Sequence, residues 1–193
     1  MRVLKNILSQ LHVYVLWLLL STVFWGWIFT SFVADTSPEK KITIYIDAPR
    51  VADTALDIAL EEHLPRGIRM VRAHPFSYAV FDTDALLDAD IFIVPASRAA
   101  EYIDSFAPLS GPFLEAAEAR WERDGTVYGL RVYDAETGAG AAGEYITYAL
   151  PGQEGEDFYL FIGSRSLHAA SFNGSGDDAA LETARAFLLT GPG

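Results

Sequence analysis

The sequence predicts an α/β fold: a single layered lobe with a central mixed sheet, preceded by one N-terminal transmembrane helix. Three observations predict it. The run Val13–Ala34 (VYVLWLLLSTVFWGWIFTSFVA) carries no formal charge, and a helix needs roughly 20 apolar residues to cross about 30 Å of hydrocarbon. Beyond that run, strand-like and helix-like patterns alternate through the first half of the chain, as they do in layered α/β domains. Finally, Asp90–Val94 (DIFIV) is short and almost continuously apolar, which suits a strand buried on both faces of a sheet.

The apolar run sets the organisation. Residues 1–12 form a short cytoplasmic segment, 13–34 the transmembrane anchor, 35–41 (DTSPEKK after Ala34) a polar linker containing Pro38, and 42–193 an extracytoplasmic α/β domain. The N-terminal flank holds Arg2 and Lys5 and no acid, and a short basic segment of this kind stays in the cytoplasm. The expected placement is therefore a single pass through the plasma membrane, with the N-terminus cytoplasmic and the domain outside. A cleaved signal peptide is the alternative. Its apolar region is usually about 7–15 residues with an A-x-A-like cleavage site. Here the run is longer, and a cut after Ala34 would put bulky Phe32 at a position that favours small residues.

The elements follow in order. Lys41–Asp47 (KITIYID) alternates and is rich in β-branched residues, so it reads as strand one. Asp53–His63 has its apolar residues at helical spacing, with Asp53 as N-cap and Pro65 and Gly67 as the stop. Ile68–Ala73 reads as strand two, Thr83–Leu87 as a helical turn and Asp90–Val94 as strand three. Ser97 caps a helix to about Phe106, and Glu115–Arg123 reads as helix. Thr126–Tyr133, Glu144–Ala149 and Phe158–Ile162 read as strands around the flexible loop Thr137–Gly143, and Asp177 caps a last helix to about Leu189.

Charge and composition exclude several classes. The part after Ala34 holds 12 basic against 26 acidic residues, a net −14. That disfavours nucleic acid, which is bound by neutralising phosphates, and a polybasic grip on anionic lipid. With no cysteine in the chain there is no disulfide, thiolate nucleophile or cysteine-ligated metal. About 155 residues after the anchor suffice for one ordinary domain core.

The motifs are weak. His63, His74 and His168 share no ligand spacing, and Asp82, Asp84, Asp88 and Asp90 do not follow a calcium-loop pattern, so no metal site is read. Asn173–Asp178 opens like a calcium loop, but Ala184 stands where a bidentate Glu is needed; a turn before a helix fits better. Gly138-Ala139-Gly140 lacks the third glycine of a dinucleotide loop, and no cofactor is expected. Ser164, Ser166 and Ser171 lie near His168 without a G-x-S-x-G elbow. The chain is therefore read as no enzyme. Thirteen of the fifteen aromatic residues from Tyr45 to Tyr159, all but Phe92 and Phe113, are weighed as exposed rings for stacking a ligand and read mostly as core and half-buried packing.

KITIYIDA, LEEHLPRGIRMVRAHPFSYA, ALLDADIFIVPASRAAEYIDSFAPL and DGTVYGLRVYD together resemble the first lobe of an extracytoplasmic solute-binding protein of ABC importers. Ala89–Pro95 and Asp124–Leu130 carry the best matches, and Arg131 stands where that family usually has Pro. The resemblance covers Lys41 to Asp134. Roughly 60 residues follow it, too few for an ordinary second lobe. It implies a layered fold outside the cytoplasm and a small polar ligand. In open α/β sheets such ligands sit beyond the carboxyl ends of strands, which makes Asp47, His74, Phe76 and Ser97 the expected ligand-binding residues. The expected partners are the membrane, through the N-terminal helix, a small polar ligand, and a membrane permease or a second copy. The alternative function is a structural or protein-interaction module at the outer membrane face with no small-molecule ligand. A hydrolase using His168 or the Asp82–Asp90 acids is the third reading.

Overall fold

Two compact units make up the chain, residues 1–37 and 38–193. The computed structural model describes residues 2–29, 36–76, 84–111, 114, 119–169 and 178–190. The first unit is one helix, α1 (Arg2–Ile28). At 1.5 Å per residue its 27 residues extend about 40 Å. Its segment Leu11–Ile28, of mean hydropathy 1.7, is long and apolar enough to cross a membrane. Side chains such as Leu18, Val23 and Trp25 are exposed along it. The Thr22 hydroxyl donates to Leu18 O at 2.9 Å, so this polar group is satisfied within the helix.

The second unit is built on a six-stranded mixed sheet. Its elements in chain order are β1 (Lys41–Ile46), β2 (Arg50–Val51), α2 (Asp53–Glu61), β3 (Met70–Pro75), α3 (Asp84–Leu87), β4 (Ile91–Pro95), α4 (Ala96–Ala99), β5 (Arg120–Arg123), β6 (Thr126–Tyr133), β7 (Ile146–Thr147), β8 (Phe158–Ile162) and α5 (Ala179–Leu189). The strand order is β3-β1-β4-β8-β6-β5. β3, β1 and β4 run parallel, and β8, β6 and β5 continue the sheet through antiparallel pairs. β2 and β7 form a separate two-stranded ribbon.

Both faces of the sheet are covered, so β4 is buried throughout, as its unbroken apolar run requires. On one face Ile42, Ile44, Ile93 and Leu160 pack with Leu56 and Leu60 of α2 and Ala184 and Phe187 of α5. On the other, Tyr45, Phe92 and Phe161 pack with Leu86 of α3 and with Tyr102 and Phe106 after β4. Phe106 and Phe161 stack with centroids 4.1 Å apart. Each fully buried side chain of this size contributes about 1.5–3 kcal/mol. Gly163 N donates to Asp90 O at 2.9 Å, and a Cβ at Gly163 would collide with Ala89 O, so only glycine permits this approach.

Several boundaries differ from the expected ones. The Glu115–Arg123 helix is not formed where it can be seen: Arg120–Arg123 is β5, and residues 115–118 lie outside the described residues. The two-residue turn Asp124-Gly125, with φ of 53° and 76°, folds this segment back onto β6. Strand two is shifted to Met70–Pro75, and Glu144–Ala149 contributes only Ile146–Thr147, paired with Arg50–Val51 outside the main sheet. Asp53 and Ser97 do not cap helices. The N-cap positions belong to Ala52 and Pro95, and Asp53 is the first residue of α2, where its Oδ1 accepts Thr54 N at 2.8 Å. After α4 the chain tightens into a 3₁₀ segment, Ala100–Ser105, instead of continuing as α-helix. Thr83, Asp82, Tyr78, Phe81, Ser171 and the segment from Asn173 to Asp177 lie outside the described residues.

Candidate functional site

The strand order fixes where the sheet is open. From β1 the chain goes to β3 on one flank, and β4 then enters on the other. This reversal between β1 and β4 leaves a crevice at their carboxyl ends, the usual ligand position in open α/β sheets. Here a cavity of about 380 Å³ is present, bounded by Asp47, Pro49, Arg98, Tyr148, Glu154 and Glu156 among others.

Asp47 directly follows β1, and its N–H donates to Ile93 O at 2.8 Å, which continues the β1–β4 ladder past the strand. Its carboxylate pairs with Arg98 Nη1, while Arg98 Nη2 donates to the Tyr102 hydroxyl. The guanidinium carbon lies 5.3 Å from the ring centroids of both Phe76 and Tyr102. A planar cation held between rings and a carboxylate loses little freedom on binding. Ser97 contributes its backbone: its N–H donates to Glu156 Oε2 at 3.1 Å. Burial raises the proton affinity of Asp47 above its ordinary value. Arg98 opposes this, and the negative charges of Glu156 and Glu101 add to it.

Residues 134–157, between β6 and β8, form the other wall. Their ends are clamped together. Asp157 Oδ1 accepts Ala135 N at 2.9 Å, and its Oδ2 lies 3.3 Å from Arg131 Nη1, whose Nη2 pairs with Asp134 at 3.0 Å. Asp157 O also accepts Ala96 N at 2.8 Å, which fixes this wall to the start of α4. Midway, the β2–β7 ribbon and the Ala52 N to Tyr145 O bond at 2.8 Å hold the segment to the chain leaving β1. Tyr148 is buried against Tyr133, with ring centroids 4.6 Å apart, and donates its hydroxyl to Ala141 O at 2.6 Å. Burial pushes its phenol pKa up.

Of the four expected residues, the structure brings Asp47, Phe76 and Ser97 around Arg98 and α4. His74 lies elsewhere. Its ring is 5.5 Å from that of Tyr45, and it lines a separate groove of about 520 Å³ with Thr43, Asp88, Arg165 and Leu167. Sequence reasoning missed Arg98, Tyr148 and Glu156. The signal for Arg98 was its place three residues beyond Pro95, at the end of a buried strand; the GQEGED segment holding Glu156 had no period to read.

Behind that second groove, Asp90 and His168 are both buried. Asp90 Oδ2 accepts Thr43 N at 2.9 Å, and Ser166 donates its hydroxyl to Asp90 Oδ1 at 2.6 Å. Ser166 Oγ accepts the backbone N–H of His168 at 3.1 Å, whereas the His168 ring has Nε2 3.0 Å from Pro38 O. These bonds tie the turn after β8 to the starts of β1 and β4. Among the described residues, no three His, Asp or Glu side chains are grouped to hold a metal ion.

No family model and no curated protein matches this chain. Solved structures do match, among them thiaminase I from Bacillus thiaminolyticus, with 20% identity and a TM-score of 0.33 over 48% of this chain. The match spans 28% of that protein, and a likeness at this level carries no argument about fold, substrate or activity. One expectation is nonetheless corrected. The sequence reads as no enzyme for want of motifs, yet thiaminase I, one of the solved proteins it is similar to, is an enzyme. The physical ground was also weak. Functional groups converge from distant parts of a chain, as Asp47, Arg98 and Glu156 do here, and leave no local motif. The importer resemblance has no matching family model behind it.

Proposed function

We propose that the chain is a membrane-anchored domain that binds a small polar ligand in the crevice at the carboxyl ends of β1 and β4, on the outer side of the plasma membrane. The observation that carries this reading is the cavity at the strand-order reversal, where polar groups from three separate segments, the end of β1, α4 and the 134–157 wall, converge. The resemblance to the first lobe of an importer solute-binding protein agrees with it. In this reading the 134–157 segment serves as the second wall that another lobe would otherwise supply, and a permease is the expected partner. Asp47 lines the crevice with Arg98, Phe76 and Ser97 sit beside it against Arg98 and Glu156, and His74 lines the neighbouring groove.

A second reading has its own observation. Ile58 on α2 and Leu189 on α5 are 60% and 83% exposed, and a protein-interaction module would offer such apolar side chains to its partner. A thermal-shift series on the full chain in non-ionic detergent separates the two. Sugars, amino acids, short peptides, aliphatic diamines and divalent metals are added in turn, and a ligand that binds only the folded state raises the melting temperature. A shift from one class supports the crevice. No shift from any class favours the interaction module.

A further inference from the structure

We propose that the crevice accepts an organic cation, a small ligand carrying an ammonium-type charge on an apolar body. This rests on the ligand-binding reading of the same crevice. The cavity and its place in the strand order define the site; its charged groups decide only which ligand it admits.

Arg98 is the one cationic side chain among the described lining residues, and its charge is already matched. Asp47 holds Nη1, and the rings of Phe76 and Tyr102 lie 5.3 Å from the guanidinium carbon. Asp47 and Arg98 therefore nearly cancel as seen by a ligand. Glu154 and Glu156 remain on the facing wall, both exposed to the cavity mouth. The Ser97 N–H bond orients Glu156 without neutralising it. Glu101, 3.9 Å from Arg98 Nε, adds a further negative charge behind the pair. The elevated proton affinity of Asp47 reports the same field, since Glu156 and Glu101 add to the effect of burial and against that of Arg98.

A concave site lined by one sign of charge concentrates ligands of the other. An anion entering here meets two unmatched carboxylates, and the guanidinium that could receive it is held by Asp47. A cation meets the same carboxylates favourably and leaves the Asp47–Arg98 pair intact. In the rest of the lining the amide of Gln153 is polar, and Pro49, Pro95 and the rings of Tyr148 and Phe158 give the ligand body its apolar contact.

The test uses three probes that share a four-carbon body: 1,4-diaminobutane, 1,4-butanediol and succinate. Each is titrated calorimetrically at millimolar concentration into the full chain in non-ionic detergent. The diamine is expected to bind about tenfold or more tightly than the diol or the diacid. Replacing Glu154→Gln and Glu156→Gln together removes that preference while circular dichroism stays unchanged. If the diol or succinate binds as tightly, and Ala149→Trp in the cavity wall blocks it, the crevice reading stands and the charge inference is overturned. If none of the three binds, the charge inference is overturned as well, and the thermal-shift series decides the crevice reading on its own.

Discussion

Asp47 sits where backbone geometry and charge meet. Its N–H extends the β1–β4 ladder, and its carboxylate orients Arg98. A carboxyl that holds its proton more tightly in the folded state than in the unfolded state stabilises the fold when protonated. That contribution is complete below the ordinary value of 3.8 and is lost as pH rises through the higher folded value. Asp47→Asn cannot ionise, so the variant should gain melting temperature relative to the parent as pH rises from about 3.5 to 7. Melting of the full chain at both ends of that range checks it; an unchanged or reversed difference contradicts the role given to burial and the neighbouring acids.

Among the elements, β3 shows how an edge is closed. Its outer N–H at Ala73 donates to buried Asp57 Oδ1 on α2 at 2.6 Å, and Arg72 Nη1 meets Asp57 Oδ2 at 2.9 Å. A side chain thus takes the place of a partner strand. Asp57→Ala should cost about 1–3 kcal/mol, because a backbone donor loses its partner. It should also speed amide exchange at Ala73, measured by hydrogen–deuterium exchange; unchanged exchange there would show that the edge is held otherwise. Elements with a local period were legible in the sequence. β1 alternates, and β4 is apolar throughout because strands flank it and helices cover it. β5 was not legible. Three of its four residues are charged and suit an edge, but the same pattern suits a helix surface, and only the Asp124-Gly125 turn decides between them. The site was half legible for a similar reason. Strand ends pointed to Asp47 and Ser97, whereas their partners Arg98 and Glu156 lie 51 and 59 residues away in sequence.

At the scale of the whole molecule, an apolar helix precedes a strongly acidic α/β domain, and the domain's expected side of the membrane follows from Arg2 and Lys5 alone. The chain has no cysteine, so a single Glu144→Cys on the domain surface reports sidedness cleanly. A membrane-impermeant maleimide should label it on intact cells; labelling only after lysis would put the domain in the cytoplasm. The central claim is ligand binding in the crevice between β1 and β4. The measurement that tests it most directly is the thermal-shift series run in parallel on the parent chain and on Ala149→Trp, which fills the cavity from the 134–157 wall. One ligand class should raise the melting temperature of the parent and leave the variant unmoved. An equal shift in both proteins, or no shift in either, would contradict the crevice as the site of function.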